Sequence, residues 1–260
     1  MFSTVQNNII LGLFVGHNTV TLKEVDSTNT YLKQLLSNSK PLPEGTVILA
    51  ETQLSGRGQT QNAWYSEPYQ NLTFSILLNP GFLNIRLQFN LNIAICLALN
   101  DVLSTYFGDS AFIKWPNDCY VDHHKIGGIL IENIVHGNQI KHAIVGIGLN
   151  INQTDFPLEL ANATSFKKIL HAHYDLNTLK SEICRSVEAR YLQLKGGKYP
   201  ELLAAYLSKL YHLNKWEDFK IDGFIQRAKI CGISTEGYLL VDTSKGIRSF
   251  GMKEIEFIKH

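Results

Sequence analysis

Four short segments of this sequence carry side chains that could bind or activate a ligand. Ser55-Gly56-Arg57-Gly58 sits in a polar stretch that follows an apolar one. Glycines let backbone come close to a ligand, and exposed amides with one guanidinium can hold a phosphate or a carboxylate. The same tetrapeptide also reads as a surface turn with a solvated arginine. Lys114-Trp115-Pro116-Asn117-Asp118 places a cation, an amide and a carboxylate at the end of an apolar run. They serve either a site or a turn in which Asn117 and Asp118 cap backbone amides. In Lys125-Ile126-Gly127-Gly128-Ile129-Leu130-Ile131-Glu132 two glycines interrupt a strand-like run, which marks a bulge or a close approach by backbone or ligand. Packing against a helix explains them equally well. Gly146-Ile147-Gly148-Leu149-Asn150-Ile151-Asn152 has a superficial dinucleotide-binding look, but it lacks the third glycine and a helix start. Asn150 either reads an adenine edge, since its amide both donates and accepts, or simply turns the chain at a strand end.

The elements that must position these segments follow from periodicity. Val25-Asp26-Ser27-Thr28-Asn29 introduces a helix to about Leu36, with Ser27 or Thr28 as N-cap and Pro41 and Pro43 as stops. Residues 46–51 and 72–78 read as strands, with a polar loop over 52–63 between them. Residues 87–106 are apolar at helical spacing and long enough for a core helix. A short strand over 112–115 ends at Pro116, and strands over 125–135 and 140–151 join near His136-Gly137-Asn138. Helices follow over 177–194 and 200–211, separated by Gly196-Gly197. From Phe219 onward, short alternating runs over 225–233, 238–242, 247–250 and 254–258 are punctuated by Gly232, Gly237, Gly246 and Gly251. That spacing predicts a small β-barrel, with a domain boundary near residue 214. The first twenty residues are weakly patterned.

Composition narrows the function classes. The chain has 260 residues, is 45% apolar and carries a net charge of +1, with no run of Lys and Arg of the kind that marks a nucleic-acid footprint. Cys96, Cys119, Cys184 and Cys231 are too scattered for a CxxC site and read as buried reduced thiols. His123-His124 and His171-Ala172-His173 read as solvated loops, so no metal site is expected. The apolar run over 9–15 is far too short to span a membrane, and the expected location is cytoplasmic.

Taken in order, the segments resemble the catalytic domain of biotin–protein ligases. That family is marked by a Ser-Thr-Asn segment, a Gly-Arg-Gly loop, Lys-Trp-Pro-Asn-Asp followed by Lys-x-Gly-Gly-Ile-Leu, and Gly-x-Gly-x-Asn. All are here, dense over about residues 22–155. The resemblance implies an α+β fold. Its catalytic domain, over 1–213, resembles class II aminoacyl-tRNA synthetases, with a mixed sheet flanked by helices. A small SH3-like barrel over 214–260 would follow. It also implies biotin and ATP as substrates, with Mg²⁺, and a biotin carboxyl carrier protein as partner.

Roles are carried over by position. Ser27, Thr28, Asn29 and Gln53 would hold the ureido head of biotin, helped by backbone at Gly56 and Arg57. Gly127 and Gly128 would floor its rings and chain, and Arg57 and Lys125 would face the carboxylate and α-phosphate. Trp64 would stack on adenine, with Gly58, Lys114, Asn117 and Asn150 also on the nucleotide. Arg57, Lys125 and Asp118 would be the catalytic groups. Asp118 is the candidate to orient or accept a proton from the attacking amine, with a Mg²⁺ contact or a turn cap as its other readings. The loop over 54–63 would be the lid.

The run Gln59-Thr60-Gln61-Asn62-Ala63 departs from the family, many members of which carry further arginines there, and this puts adenylate retention in doubt. Only about twenty residues precede the resemblance, so no DNA-binding module or nucleic-acid partner is expected. A homodimer through the edge of the sheet is expected by family analogy alone. Two rival readings stay open. One is a lipoate or octanoate ligase or transferase of related fold, and the other is a non-catalytic biotin or adenylate sensor.

Overall fold

The run LTFSILL at Leu72–Leu78 is buried at every position, as a strand must be when both faces of its sheet are covered. In the computed structural model, which describes residues 12–38, 41–59 and 62–258, it forms the third strand of a seven-stranded mixed sheet. The chain runs β1 (Thr19–Val25), α1 (Thr28–Asn38), β2 (Val47–Gln53), β3 (Leu72–Leu78) and α2 (Phe89–Phe107). It continues as β4 (Ala111–Lys114), β5 (Asp118–Val121), β6 (His124–His136), β7 (Gln139–Leu149) and α3 (Phe166–Leu170). Then come α4 (Leu176–Lys195), α5 (Tyr199–Ser208), β8 (Trp216–Ile221), β9 (Phe224–Ile233), β10 (Leu239–Thr243), β11 (Gly246–Phe250) and β12 (Ile255–Phe257).

The first sheet is ordered β1-β2-β3-β7-β6-β5-β4, with β1 parallel to β2 and the other neighbours antiparallel. Helix α1 covers one face, where Leu32 packs with Ile48, Leu77 and Ile144. Helix α2 is apolar nearly all round and belongs to the cluster that fills the other face with α4 and α5. The stretch 85–110 is long and apolar enough to cross a membrane by length and composition, but most of it is buried within this fold. Beyond α5, five antiparallel strands pair in the order β11-β10-β9-β8-β12. The expected C-terminal β unit is therefore present as an antiparallel sheet, and its ladder is open, with β11 and β12 at the edges.

Three strands escaped the sequence reading, each for a physical reason. The edge strand β1 buries little, so its apolar alternation is faint. Strand β5 has four residues and begins at the Asp118 that reads as part of a turn. In β8, Trp216 is exposed and the charged residues dominate the pattern. Part of the apolar run over 9–15 lies outside the described residues, as do Thr60 and Gln61 of the loop. Three of the four cysteines are buried free thiols, as expected, whereas Cys231 is half-buried.

Candidate active site

The register of β6 on β7 pairs Gly128 with Gly148 and Leu130 with Gly146. Side chains alternate faces along a strand, so Gly128, Gly146 and Gly148 leave a bare strip of peptide on one face of the sheet. A methyl group at Gly146 would stand 2.5 Å from Asn29 Oδ1, and one at Gly148 would stand 2.4 Å from the Trp64 ring. At Gly128 it would meet Asp118 Oδ1 at 3.4 Å and Lys125 Nζ at 3.7 Å. Four residues that the sequence reading selected thus converge on one glycine strip. Gly127 faces the other way: a methyl there would strike Leu149 Cδ1 at 2.7 Å and Gly148 O at 2.8 Å. The expectation that both adjacent glycines floor a ligand is therefore corrected. Gly128 belongs to the floor, and Gly127 satisfies the packing reading.

At one end of the strip stands a polar cluster carried by the start of α1. The Gln53 side-chain oxygen accepts from Thr28 N (2.8 Å) and Thr28 Oγ1 (3.1 Å). Ser75 Oγ lies 2.7 Å from Thr28 Oγ1 and 2.6 Å from Asn29 Oδ1, and its single proton serves one of them. Asn29 Nδ2 donates to Leu130 O (3.3 Å) and to Glu132 Oε2 (2.9 Å). The Asn29 amide is thus committed to the protein on both its atoms. Ser27, Thr28 and Asn29 are all buried, and Tyr31 N bonds Ser27 O, which starts the helix at this point.

At the other end stand cations. Register shifts between β5 and β6, from Cys119 opposite Gly127 to Tyr120 opposite Lys125, so Ile126 is an extra residue on β6. Such a bulge re-aims side chains, and it turns Lys125 onto the floor side, where its Nζ pairs with Asp118 Oδ1 at 2.7 Å. The Lys125 backbone is pinned as well: its N–H donates to Asn162 O and its carbonyl accepts from Thr164 N, both at 2.9 Å. Lys114 lies directly across from Asp118 on the neighbouring strand, so the Trp115-Pro116-Asn117 turn between them is tight, with a cis Trp115–Pro116 bond. Lys114 Nζ reaches Tyr120 OH at 3.3 Å and lies 4.6 Å from the centre of the Phe257 ring. Burial, with Asp118 nearby, pushes the Tyr120 phenol up and keeps it neutral. Cys119 is buried behind the strip, and burial pushes its thiol up to about 12, so it is no nucleophile at neutral pH.

The loop between β2 and β3 closes over the strip. Arg57 pairs with Ala63, Trp64 N bonds Gly56 O at 2.8 Å, and a side chain at Gly56 would come within 2.4 Å of Trp64 O. The Arg57 guanidinium donates to Glu132 Oε2. Burial pushes the Glu132 carboxyl up, but hydrogen bonds from Arg57 and Asn29, with the charges of Arg57 and Lys33, outweigh burial and hold it below the ordinary range. Trp64 Nε1 is buried and has no hydrogen-bond partner among the described residues.

These parts border one cavity of about 440 Å³. Of the sequence-selected residues, Ser27, Thr28, Asn29, Gln53, Arg57, Gly58, Trp64, Lys114, Asn117, Asp118, Lys125 and Gly128 line it. Gly56, Gly127 and Asn150 do not. Asn150 ties the end of β7 to the following loop through Nδ2 to Thr164 O at 3.0 Å, which is the strand-end role. Asn117 lines the cavity, yet its Nδ2 donates to Ile129 O and its carbonyl accepts from Ile129 N, so its amide braces the turn. Sequence reasoning missed Ser75, the Gly146–Gly148 floor, Glu132 and the C-terminal wall of Met252, Lys253, Ile255, Glu256 and Phe257. The two glycines at alternate positions were the one available signal. The C-terminal wall had none, because it depends on how the second sheet docks. That docking uses the motif itself: Trp115 Nε1 donates to Gly237 O at 2.9 Å.

A glycine-floored cavity, polar at one end and cationic at the other, fits an elongated acid activated at its carboxylate. Residues 21–150 match the family model described as the biotin/lipoate A/B protein ligase family, and the chain belongs to that family. Among its relatives is the bifunctional ligase/repressor BirA of Bacillus spizizenii, 28% identical over 255 residues, covering 93% of this chain and 74% of that protein. The BirA of Escherichia coli is 30% identical over 222 residues, covering 84% of this chain and 63% of that protein. The biotin protein ligase of Aquifex aeolicus, solved with biotin and ATP, superposes with a TM-score of 0.77 at 29% identity, covering 94% of this chain and all of that one.

Proposed function

We infer that this chain is a biotin–protein ligase that forms biotinyl-5′-AMP from biotin and ATP and passes the biotinyl group to a lysine of a biotin carboxyl carrier protein. The observation that carries the reading is the order of the cavity: hydroxyls and amides of Ser27, Thr28 and Gln53, then the bare strip at Gly146, Gly148 and Gly128, then Lys125 beside Asp118. Biotin has the matching order of ureido, fused apolar rings and carboxylate, and binding sites place a few polar groups around an apolar middle. A linear lipoyl or octanoyl chain would leave the buried polar cluster without a partner, which costs free energy. The cytoplasm, where ATP and newly made carrier meet, is the proposed location of the reaction.

In the first step a biotin carboxylate oxygen attacks the α-phosphorus. The bond from that phosphorus to the bridging oxygen breaks, and pyrophosphate leaves. Negative charge gathers on the phosphate oxygens, and Lys125 supplies preorganised positive charge beside them, while Arg57 is held at the head-group end by Glu132. Asp118 holds the Lys125 ammonium in place from the adjoining strand. Mg²⁺ enters with the nucleotide as substrate. Among the described residues no cluster of three His, Cys, Asp or Glu side chains is built for a metal, and the carboxylates that line the cavity are Asp118 and Glu256. In the second step the carrier amine attacks the acyl carbon and AMP leaves. Asp118, engaged through Oδ1, has Oδ2 left to orient the amine as it loses its proton.

The test is biotin-dependent pyrophosphate release from ATP labelled in the γ-phosphate, with lipoate and octanoate in parallel. Release with biotin alone is expected. Release only with lipoate or octanoate would move the chain to the sister activity, and biotin binding without turnover would make it a sensor.

A further inference from the structure

We propose that Glu132 is a positioning residue that links the ureido end of the cavity to Arg57 of the loop, so that binding of the acid's head group sets where that arginine is held. This inference rests on the reading just given, but its physical basis is a hydrogen-bond chain that exists whatever the acid. Gln53 accepts from Thr28 N, Thr28 Oγ1 donates to Ser75 Oγ at 2.7 Å, Ser75 donates on to Asn29 Oδ1 at 2.6 Å, and Asn29 Nδ2 donates to Glu132 Oε2 at 2.9 Å. Arg57 donates to that same carboxylate oxygen. Five elements meet in this chain: α1, β2, β3, β6 and the loop after β2.

The Arg57–Glu132 contact engages one guanidinium nitrogen, Nη2. Arginine offers five N–H donors in a rigid fork, so gripping one edge aims the others without consuming them. A carboxylate on a strand is the firmer partner, since Glu132 sits opposite Ile144 in the β6–β7 ladder, whereas beyond Ser55 the loop's backbone bonds are local. Lys33 approaches Glu132 Oε1 at 4.0 Å from α1, which balances the second carboxylate oxygen. The run after Arg57, Gln59-Thr60-Gln61-Asn62, contains no cation, so orientation of this one arginine carries the weight that further arginines could otherwise share.

Trypsin cleavage after Arg57, measured on the ligand-free protein against other sites in the same digest, reads the tether directly, because a paired guanidinium cannot enter the protease. A half-exposed pair of this kind limits the expected effect to about fivefold. Glu132→Gln should therefore be cut after Arg57 about fivefold faster than the wild type, with Glu132→Asp intermediate. Biotin should protect this bond in the wild type and not in Glu132→Gln, although both bind it. Preformed biotinyl-5′-AMP should leave Glu132→Gln about fivefold faster, and the same change should have no effect on release in an Arg57→Ala background. Equal cleavage of Arg57 in wild type and both variants would overturn the proposal. So would an undiminished effect of Glu132→Gln on adenylate release when Arg57 is absent. If the wild type binds no biotin while Glu132→Gln still exposes Arg57, the tether stands and the assignment of the acid falls.

Discussion

Lys125 reaches Asp118 only because Ile126 is an extra residue on β6; in unbroken pleat the lysine would share the face of Gly127, which packs away from the cavity. Its position is thus set by backbone, and replacing its side chain should leave the fold intact. Lys125→Ala is expected to lower adenylate formation by about a hundredfold, near 3 kcal/mol of transition-state stabilisation, with an unchanged thermal midpoint. Turnover within about threefold of wild type would remove Lys125 from the reaction, since loss of such a donor costs far more. A second expectation concerns the strip. Gly148→Ala puts a methyl within 2.4 Å of the Trp64 ring, so the indole must leave its place. Trp64 fluorescence should shift and the KM for ATP rise about tenfold, about 1.4 kcal/mol, while biotin binding changes little. An unchanged KM would dissociate Trp64 from the nucleotide. Residue types at the site were legible because their chemistry is rare in combination. Which face each occupied was not, as the bulge at Ile126 leaves no mark in composition.

At the scale of elements, strands β3, β6 and β7 and helices α2, α4 and α5 were legible because each buries a long apolar surface with a clear period. Strand β5 was not, although it carries Asp118, because four residues following a turn give no period to read. The loop after β2 was legible as a loop from its glycines, and its closure over the cavity was expected from the resemblance. Beyond its anchors at Leu54 and Ser55 it meets the sheet through Arg57 on Glu132, so its tip should open easily and close on ligand. Biotin with ATP is expected to slow protease cleavage near Arg57 by at least about tenfold, as local opening of roughly 1.4 kcal/mol is suppressed. Cleavage at the same rate with both substrates present would show that the loop is no lid.

Across the whole molecule, the proposed division into 1–213 and 214–260 runs through a continuous apolar cluster. Trp115 and Tyr206 belong to the same buried cluster as Phe219, Ala228, Ile230 and Phe250, and β12 supplies part of the cavity wall. Heating should therefore give one cooperative unfolding transition, and two resolved transitions in calorimetry would make 214–260 an independent domain. A second global effect belongs to Glu188 on α4, which accepts backbone N–H bonds from Leu13 (2.5 Å), Phe14 (2.7 Å) and Val15 (2.9 Å). Burial pushes this carboxyl up, but the three amides outweigh burial and hold it below the ordinary range. A carboxyl lowered in the folded state adds stability that is complete above its unfolded pKa of about 4.3 and is lost as pH falls through the folded value. Glu188→Gln should cost about 2 kcal/mol at pH 7, several degrees of Tm, with the gap to wild type closing in acid. A gap that is constant from pH 7 to pH 3 would mean that the charge contributes nothing.

The bare strip has one more consequence. The middle of the cavity is shaped by hydrogen-bonded peptide planes at Gly128, Gly146 and Gly148, and a side chain added at Gly146 or Gly148 collides with the site's own working groups. Mutation can therefore obstruct this stretch but cannot retune it. New acids would have to be recruited by changes at the cavity's two extremities, so the scaffold's evolutionary freedom is concentrated at its ends and closed in between.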